Sequence, residues 1–180
     1  MTSFRGWSRW HWAAVSALLA AVVVLITVAV PTLSRLEARR INRSNVEAAE
    51  NAACGYATTL LRYGIWSADR FDSYSAAISQ GATGSWLAAW DKQKQSLRDT
   101  MLTTRASSQV WGAWCTVDSH TADTAHVSTN VPHTLASDTA HEPRHGELQY
   151  VLDLRKVNGR WLCEGLTPPM IDTFASAAPS

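Results

Sequence analysis

From Trp12 to Val30 no charged residue interrupts the chain. These nineteen residues, WAAVSALLAAVVVLITVAV, are almost wholly Ala, Val, Leu and Ile, close to the ~20 that a helix needs to cross a bilayer. The stretch predicts a single transmembrane helix. Trp10 and Trp12, with Trp7 before them, sit at its N-terminal side, where indole rings favour the headgroup layer, and Pro31 marks the other end. A cleaved signal peptide would have a shorter apolar core and a small-x-small cleavage site, and Thr27-Val28-Ala29 is a poor match to one.

After the apolar run the periodicity becomes helical. Residues 31–45 read as a helical stalk. In VEAAENAACGYATTLLRYG, Val46, Ala49, Ala53, Ala57, Leu60 and Leu61 recur at steps of three and four, which predicts a core helix with one buried face. Ser67 and Asp69 give a cap and an acidic first turn to a second helix reaching about Ser79, with Phe71, Tyr74 and Ile78 inward. Gly81 and Gly84 end it. Ser85 is read as the cap of a third, amphipathic helix with Trp86, Trp90, Leu97 and Met101 inward, ending near Thr104.

From Ser107 the pattern alternates with period two. Strands are expected over Gln109–Ser119, Ala125–Leu135, Glu147–Val157 and Arg160–Leu166. Asn158-Gly159 is the strongest hairpin signal in the chain, because both residues tolerate positive φ. Helices first and strands afterwards predict an α+β fold: about three helices packed on a four-stranded antiparallel meander. The expected organisation is a tail over 1–11, the transmembrane helix over 12–30, the stalk over 31–45, the α+β domain over 46–168 and a loose Pro/Ala/Ser-rich tail over 169–180.

Charge narrows the partners. Up to Arg43 six arginines face only Glu37, and since the whole chain carries a net +1 the remainder is acidic. Such a domain lacks the concentrated basic face of a nucleic-acid binder, so no nucleic acid is expected. Orientation stays open on charge alone. The arginines after the apolar segment outnumber Arg5 and Arg9 before it, which favours a cytoplasmic C-terminal domain, whereas a long domain can be translocated regardless.

The order of elements, with GATGSW closing the second helix and NGRWLCEGLTP in the last strand, resembles the Mce-associated membrane proteins of actinobacteria. The likeness spans about Trp12 to Pro169. It implies a cone-shaped domain similar to nuclear transport factor two and to the bitopic subunit of type IV secretion systems. It further implies a cytoplasmic N-terminus, a domain outside the plasma membrane, and a non-catalytic scaffold supporting a lipid or sterol importer. Membrane lipids and other subunits of that complex are the implied partners, a homo-oligomer is left open, and no cofactor is expected.

Cys54, Cys115 and Cys163 fall on the first core helix, the first strand and the last strand, and all three are disulfide candidates. In a four-strand meander the first and last strands lie ~14 Å apart, too far for Cys115 to reach Cys163 directly. Cys54 could meet either one. Three buried thiols are the alternative.

Two features invite overreading. His141-Glu142-Pro143-Arg144-His145 matches the H-E-x-x-H of zinc proteases in letters, but Pro143 and Gly146 oppose the helix that the chemistry needs, so no metal is expected there. His120, Asp123, His126 and His133 read likewise as exposed residues near strand ends. On a cone-shaped fold, Tyr56, Tyr63, Asp69, Asp72 and Tyr74 would be the candidates for an enzymatic pocket, yet their spacing is that of ordinary helices with an aromatic inner stripe. The six tryptophans of the domain are read first as core, or as the lining of a lipid-tail pocket. The chain is therefore expected not to be an enzyme.

Overall fold

A computed structural model describes residues 39–65, 67–139 and 142–167. The expected tails, the Trp12–Val30 segment and the interface residues Trp10 and Trp12 lie outside the described residues. Among the described residues no helix is long and apolar enough to cross a membrane. The chain divides into two compact units between Ser44 and Asn45. Of the first, residues 39–44 are helical and exposed. The second is the α+β domain.

Helix α1 covers residues 39–61. Within the domain it buries Ala49, Ala53, Ala57, Leu60 and Leu61 of the expected stripe and adds Tyr56, while Val46 is only half-buried. A two-residue strand β1 (Tyr63–Gly64) leads to α2 (Ala68–Gly81), which buries Phe71, Tyr74 and Ile78. Next comes α3 (Gly84–Thr104), which buries Trp86, Trp90 and Met101. Ser85 does not cap α3. Thr83 holds the N-cap position, and the Ser85 hydroxyl instead donates to the Glu164 carbonyl at 3.0 Å.

The sheet is antiparallel and has six strands rather than four: β1, β2 (Ser107–Val110), β3 (Trp114–His120), β4 (Thr124–Ala136), β5 (Arg144–Val157) and β6 (Arg160–Thr167). Its order is β1-β2-β4-β5-β6, with β3 also paired to β4. The expected meander survives as β3 to β6, but its first strand is split. Pairing with β4 stops at Val110↔His133 and resumes at Trp114↔Asn130, so Trp111, Gly112 and Ala113 stand opposite only Val131 and Pro132. Pro132 has no N–H to give a neighbour, which is where a ladder breaks most cheaply. Its carbonyl still accepts from the Trp111 amide at 3.1 Å. Further register shifts occur at Asp118 of β3, between Val117 and Ser119, and at Glu164 of β6, opposite Asp153 and Leu154 of β5. Each such bulge bends and twists its strand, and together they curl the sheet around the helices.

The hairpin β5–β6 turns at Asn158 (φ 50°) and Gly159 (φ 80°), the pair of positive angles that the Asn-Gly signal anticipates. On the concave side Ala125, Val127 and Val131 of β4 join Tyr150, Leu152 and Leu154 of β5 and Cys163 and Leu166 of β6 in the core.

Candidate functional site

Of the residues expected to line a pocket, Tyr56 and Tyr74 lie in the core and help to fill it, and Tyr63 packs against it. The Trp86 indole N–H donates to the Tyr56 hydroxyl at 2.6 Å, and that hydroxyl donates onward to the Ile78 carbonyl at 3.3 Å. The Tyr74 hydroxyl donates to the Leu60 carbonyl at 2.8 Å, satisfying one of the acceptors that the end of α1 leaves open. Tyr74 also stacks edge-on against Trp90, with ring centroids 5.9 Å apart. Burial is the main reason that Tyr56, Tyr74 and Tyr150 ionise only far above the usual tyrosine range, and it pushes Tyr63 up to about 12. At neutral pH all four keep their protons and do not shuttle them. Asp69 and Asp72 are exposed on α2, and Asp72 lies 3.9 Å from Arg98. The five candidates therefore do not converge on one reacting atom.

The cysteines resolve into a pair and a single thiol. Cys54 and Cys115 form a disulfide with Cα atoms 5.8 Å apart, one of the two partnerships that the sequence leaves open for Cys54. It fastens α1 to β3, beside a hydrogen bond from the Val117 amide to Glu50. Cys163 takes no part in a disulfide: β6 lies beyond β5 and β4 from β3, and its thiol is fully buried. Burial pushes that thiol up to about 12, which makes it inert as a nucleophile.

The two motifs that carry the family resemblance meet each other. Ala82 bridges to Cys163, the Thr83 amide donates to the Cys163 carbonyl at 2.7 Å, and Ser85 binds Glu164. GATGSW is thus the segment that closes the open edge of β6, an edge that would otherwise invite another strand. Its role is architectural.

His141 lies outside the described residues, while Arg144 and His145 belong to β5, so the H-E-x-x-H letters do not sit on one helical turn. Among the described residues no three of His, Cys, Asp and Glu are grouped to hold a metal ion. His126 pairs instead with Asp153 at 2.6 Å, and His145 with the Thr134 hydroxyl at 2.8 Å.

Two concavities among the described residues bear on function. A cleft of about 550 Å³ lies where α1 ends, between β1 and α2, lined by Arg62, Tyr63, Arg70, Ser73 and Tyr74 among others. Its lining holds no histidine, carboxylate or thiol, and burial shifts Tyr63 and Tyr74 upward, so neither tyrosine changes charge near neutrality, as general acid–base work requires. The second, about 420 Å³, lies on the convex face of the sheet beside Trp114. Trp111 and Trp114 are 69% and 61% exposed, so these two of the six tryptophans are not core residues at all.

No protein-family model and no curated protein matches the chain. Among solved structures, an Ntf2 like protein involved in plasmid conjugation aligns with a TM-score of 0.47 and 9% identity over 67% of this chain and 48% of that one. The chain thus spans about half the length of that protein. The intermembrane space region of the chloroplast protein ARC6 aligns with a TM-score of 0.41 and 12% identity over 73% of this chain and 92% of that one. Nothing about chemistry follows from likenesses this distant.

Proposed function

We propose that the chain is a membrane-anchored, non-catalytic accessory subunit whose α+β domain stands outside the cytoplasm and supports a multi-subunit assembly of the cell envelope. The observation that carries this reading is the Cys54–Cys115 disulfide, which a reducing cytoplasm would not maintain. The apolar Trp12–Val30 segment supplies the anchor. A non-catalytic role is supported by the cleft where α1 ends, whose lining contains no histidine, carboxylate or thiol, and by the filled core. The resemblance carried by GATGSW and NGRWLCEGLTP points further, to an Mce-type importer of lipids or sterols, with its other subunits and the membrane lipids as partners.

The test is to tag the full chain, extract it in mild detergent and identify what accompanies it by mass spectrometry. Co-purifying importer subunits support the reading. Recovery of secretion or conjugation subunits instead replaces the assembly, and a reporter fused after Ser180 that is active only in the cytoplasm overturns the placement.

A further inference from the structure

The convex face of the sheet is built as carefully as the core, but for contact with something outside the molecule. On β4 the even-numbered residues point away from the helices: Ser128 pairs across with Thr116 and Val151, Asn130 with Trp114 and Gln149, and Thr134 with His145. Trp111 joins this face, because its indole N–H donates to the Thr134 hydroxyl at 2.9 Å. A Cβ placed on Gly112 would lie only 3.7 Å from the Trp114 ring, so the indole rests beside bare backbone at the break between β2 and β3. Between these elements runs the groove of about 420 Å³, and its walls include Trp114, Thr116, Ser128, Asn130, Gln149 and Thr167.

The chemistry of this lining selects a class of ligand. It contains an exposed indole, five hydroxyl side chains, two primary amides and Val151, and no charged side chain, although the Ser128 hydroxyl donates to Asp118 just outside it. A phosphate or nucleic acid would find no cation there, and an acyl chain would strand the two amides and the hydroxyls of Thr116 and Thr167 without partners, those of Ser128 and Thr129 being bonded within the protein already. Hydroxyl groups presented around a ring whose faces carry C–H bonds suit both halves of the lining: the C–H face lies on the electron-rich indole, and the hydroxyls exchange hydrogen bonds with amides and alcohols. A second observation points the same way. The Asn130 Oδ1 is buried without any hydrogen-bond partner, a cost that persists until something supplies a donor.

We propose that this face binds a neutral saccharide chain, with Trp114 as the stacking platform, Asn130 and Gln149 as the groups that read ring hydroxyls, and Trp111 as a second platform. Two residues separate the two tryptophans, at most ~10 Å of extended chain, so the chain of sugars runs past the break between β2 and β3 and successive rings meet successive indoles. The proposal is independent of which assembly the chain serves, since it needs only an exposed convex face.

The experiment uses the full chain in a detergent without sugar head groups, titrated with linear oligosaccharides of N-acetylglucosamine, glucose, galactose and arabinose, and read by tryptophan fluorescence and calorimetry. At least one of the four binds and shifts the tryptophan emission. Trp114→Ala weakens that binding about tenfold or more, Asn130→Ala and Gln149→Ala by several-fold, and Trp111→Ala by less. Because Trp114 is exposed, its removal leaves the thermal transition in place, which separates lost binding from lost folding. The proposal fails if none of the four binds, or if binding survives Trp114→Ala unchanged. Self-association of the wild type that Trp114→Ala abolishes, without saccharide binding, also overturns it and assigns the face to a second copy of the chain.

Discussion

Neighbouring residues of β4 inhabit two different worlds. Ala125, Val127, Thr129 and Val131 face the helices and are almost completely buried, whereas His126, Ser128 and Asn130 between them face outward. On the inner side every large group is spoken for by packing or by a hydrogen bond, and the ionisable ones are held neutral. On the outer side sit two exposed indoles, uncharged polar groups and an amide oxygen without a partner. The difference teaches that a single run of alternating residues can specify a fold with one half and leave the other half to recognition. It also says where substitutions should hurt.

The largest effect belongs to the tie between α1 and β3. Cys54→Ser with Cys115→Ser, or reduction, reopens a link with a sequence separation of 61 and should cost ~2–4 kcal/mol in chemical denaturation of the exported protein. Equal stability of the oxidised and reduced forms would remove the disulfide from the account. Next comes Gly81→Ala, because a Cβ there runs into the buried Tyr56 ring, which its bond with Trp86 holds in place. Overpacking of this kind costs ~1–3 kcal/mol, and an unchanged melting temperature would show that the ring can yield.

Two tyrosines sharpen the comparison within the inner face itself. Tyr74→Phe strands the Leu60 carbonyl and should cost ~1 kcal/mol, whereas Tyr150→Phe deletes a buried hydroxyl that has no partner and should be neutral or slightly stabilising. The reverse ranking would mean that the hydroxyls have been assigned the wrong environments.

A smaller effect is visible only in alkali. The Cys163 thiol has an ordinary value of 9.0 but about 12 when folded, and Tyr63 moves from 10.0 to about 12. Below pH 9 both states keep these protons and stability is level; above it the unfolded chain loses them first, so stability falls as pH rises through the folded values. Between pH 9 and 10 the Cys163 share is below about 1 kcal/mol, and Cys163→Ala should flatten that part of the curve. An equally steep decline in the variant would assign the slope elsewhere. Smallest of all, Trp114→Ala should change stability by less than about 0.5 kcal/mol, and a larger loss would move that indole from the recognition face into the structural one.

Much of the inner half was legible in the sequence. The helical stripes, the Asn158-Gly159 turn and the run of alternating strands are local signals, and local geometry decides them. The split of the first strand was not legible, because it depends on Pro132 lying opposite Trp111 to Ala113, a matter of partnership between segments about twenty residues apart. Ser85 looked like a cap because capping chemistry is local, while its real acceptor, Glu164, comes from the far end of the domain. The outer groove was missed since tryptophan is read as core by default. A signal did exist: Trp114 and Thr116 alternate with Cys115 and Val117, so once either cysteine is placed inward the indole must face out. For Cys54 the choice between two partners turned on which strand α1 crosses, and that is a tertiary fact.

The account rests most heavily on one covalent bond in one compartment. Protein taken from intact cells, denatured without reductant and treated with a maleimide of large mass, should gain one label per chain, on Cys163, and three labels once a reductant is added. Three labels before reduction would mean that the domain is kept in a reducing space, contradicting both the bond and the placement outside the cytoplasm.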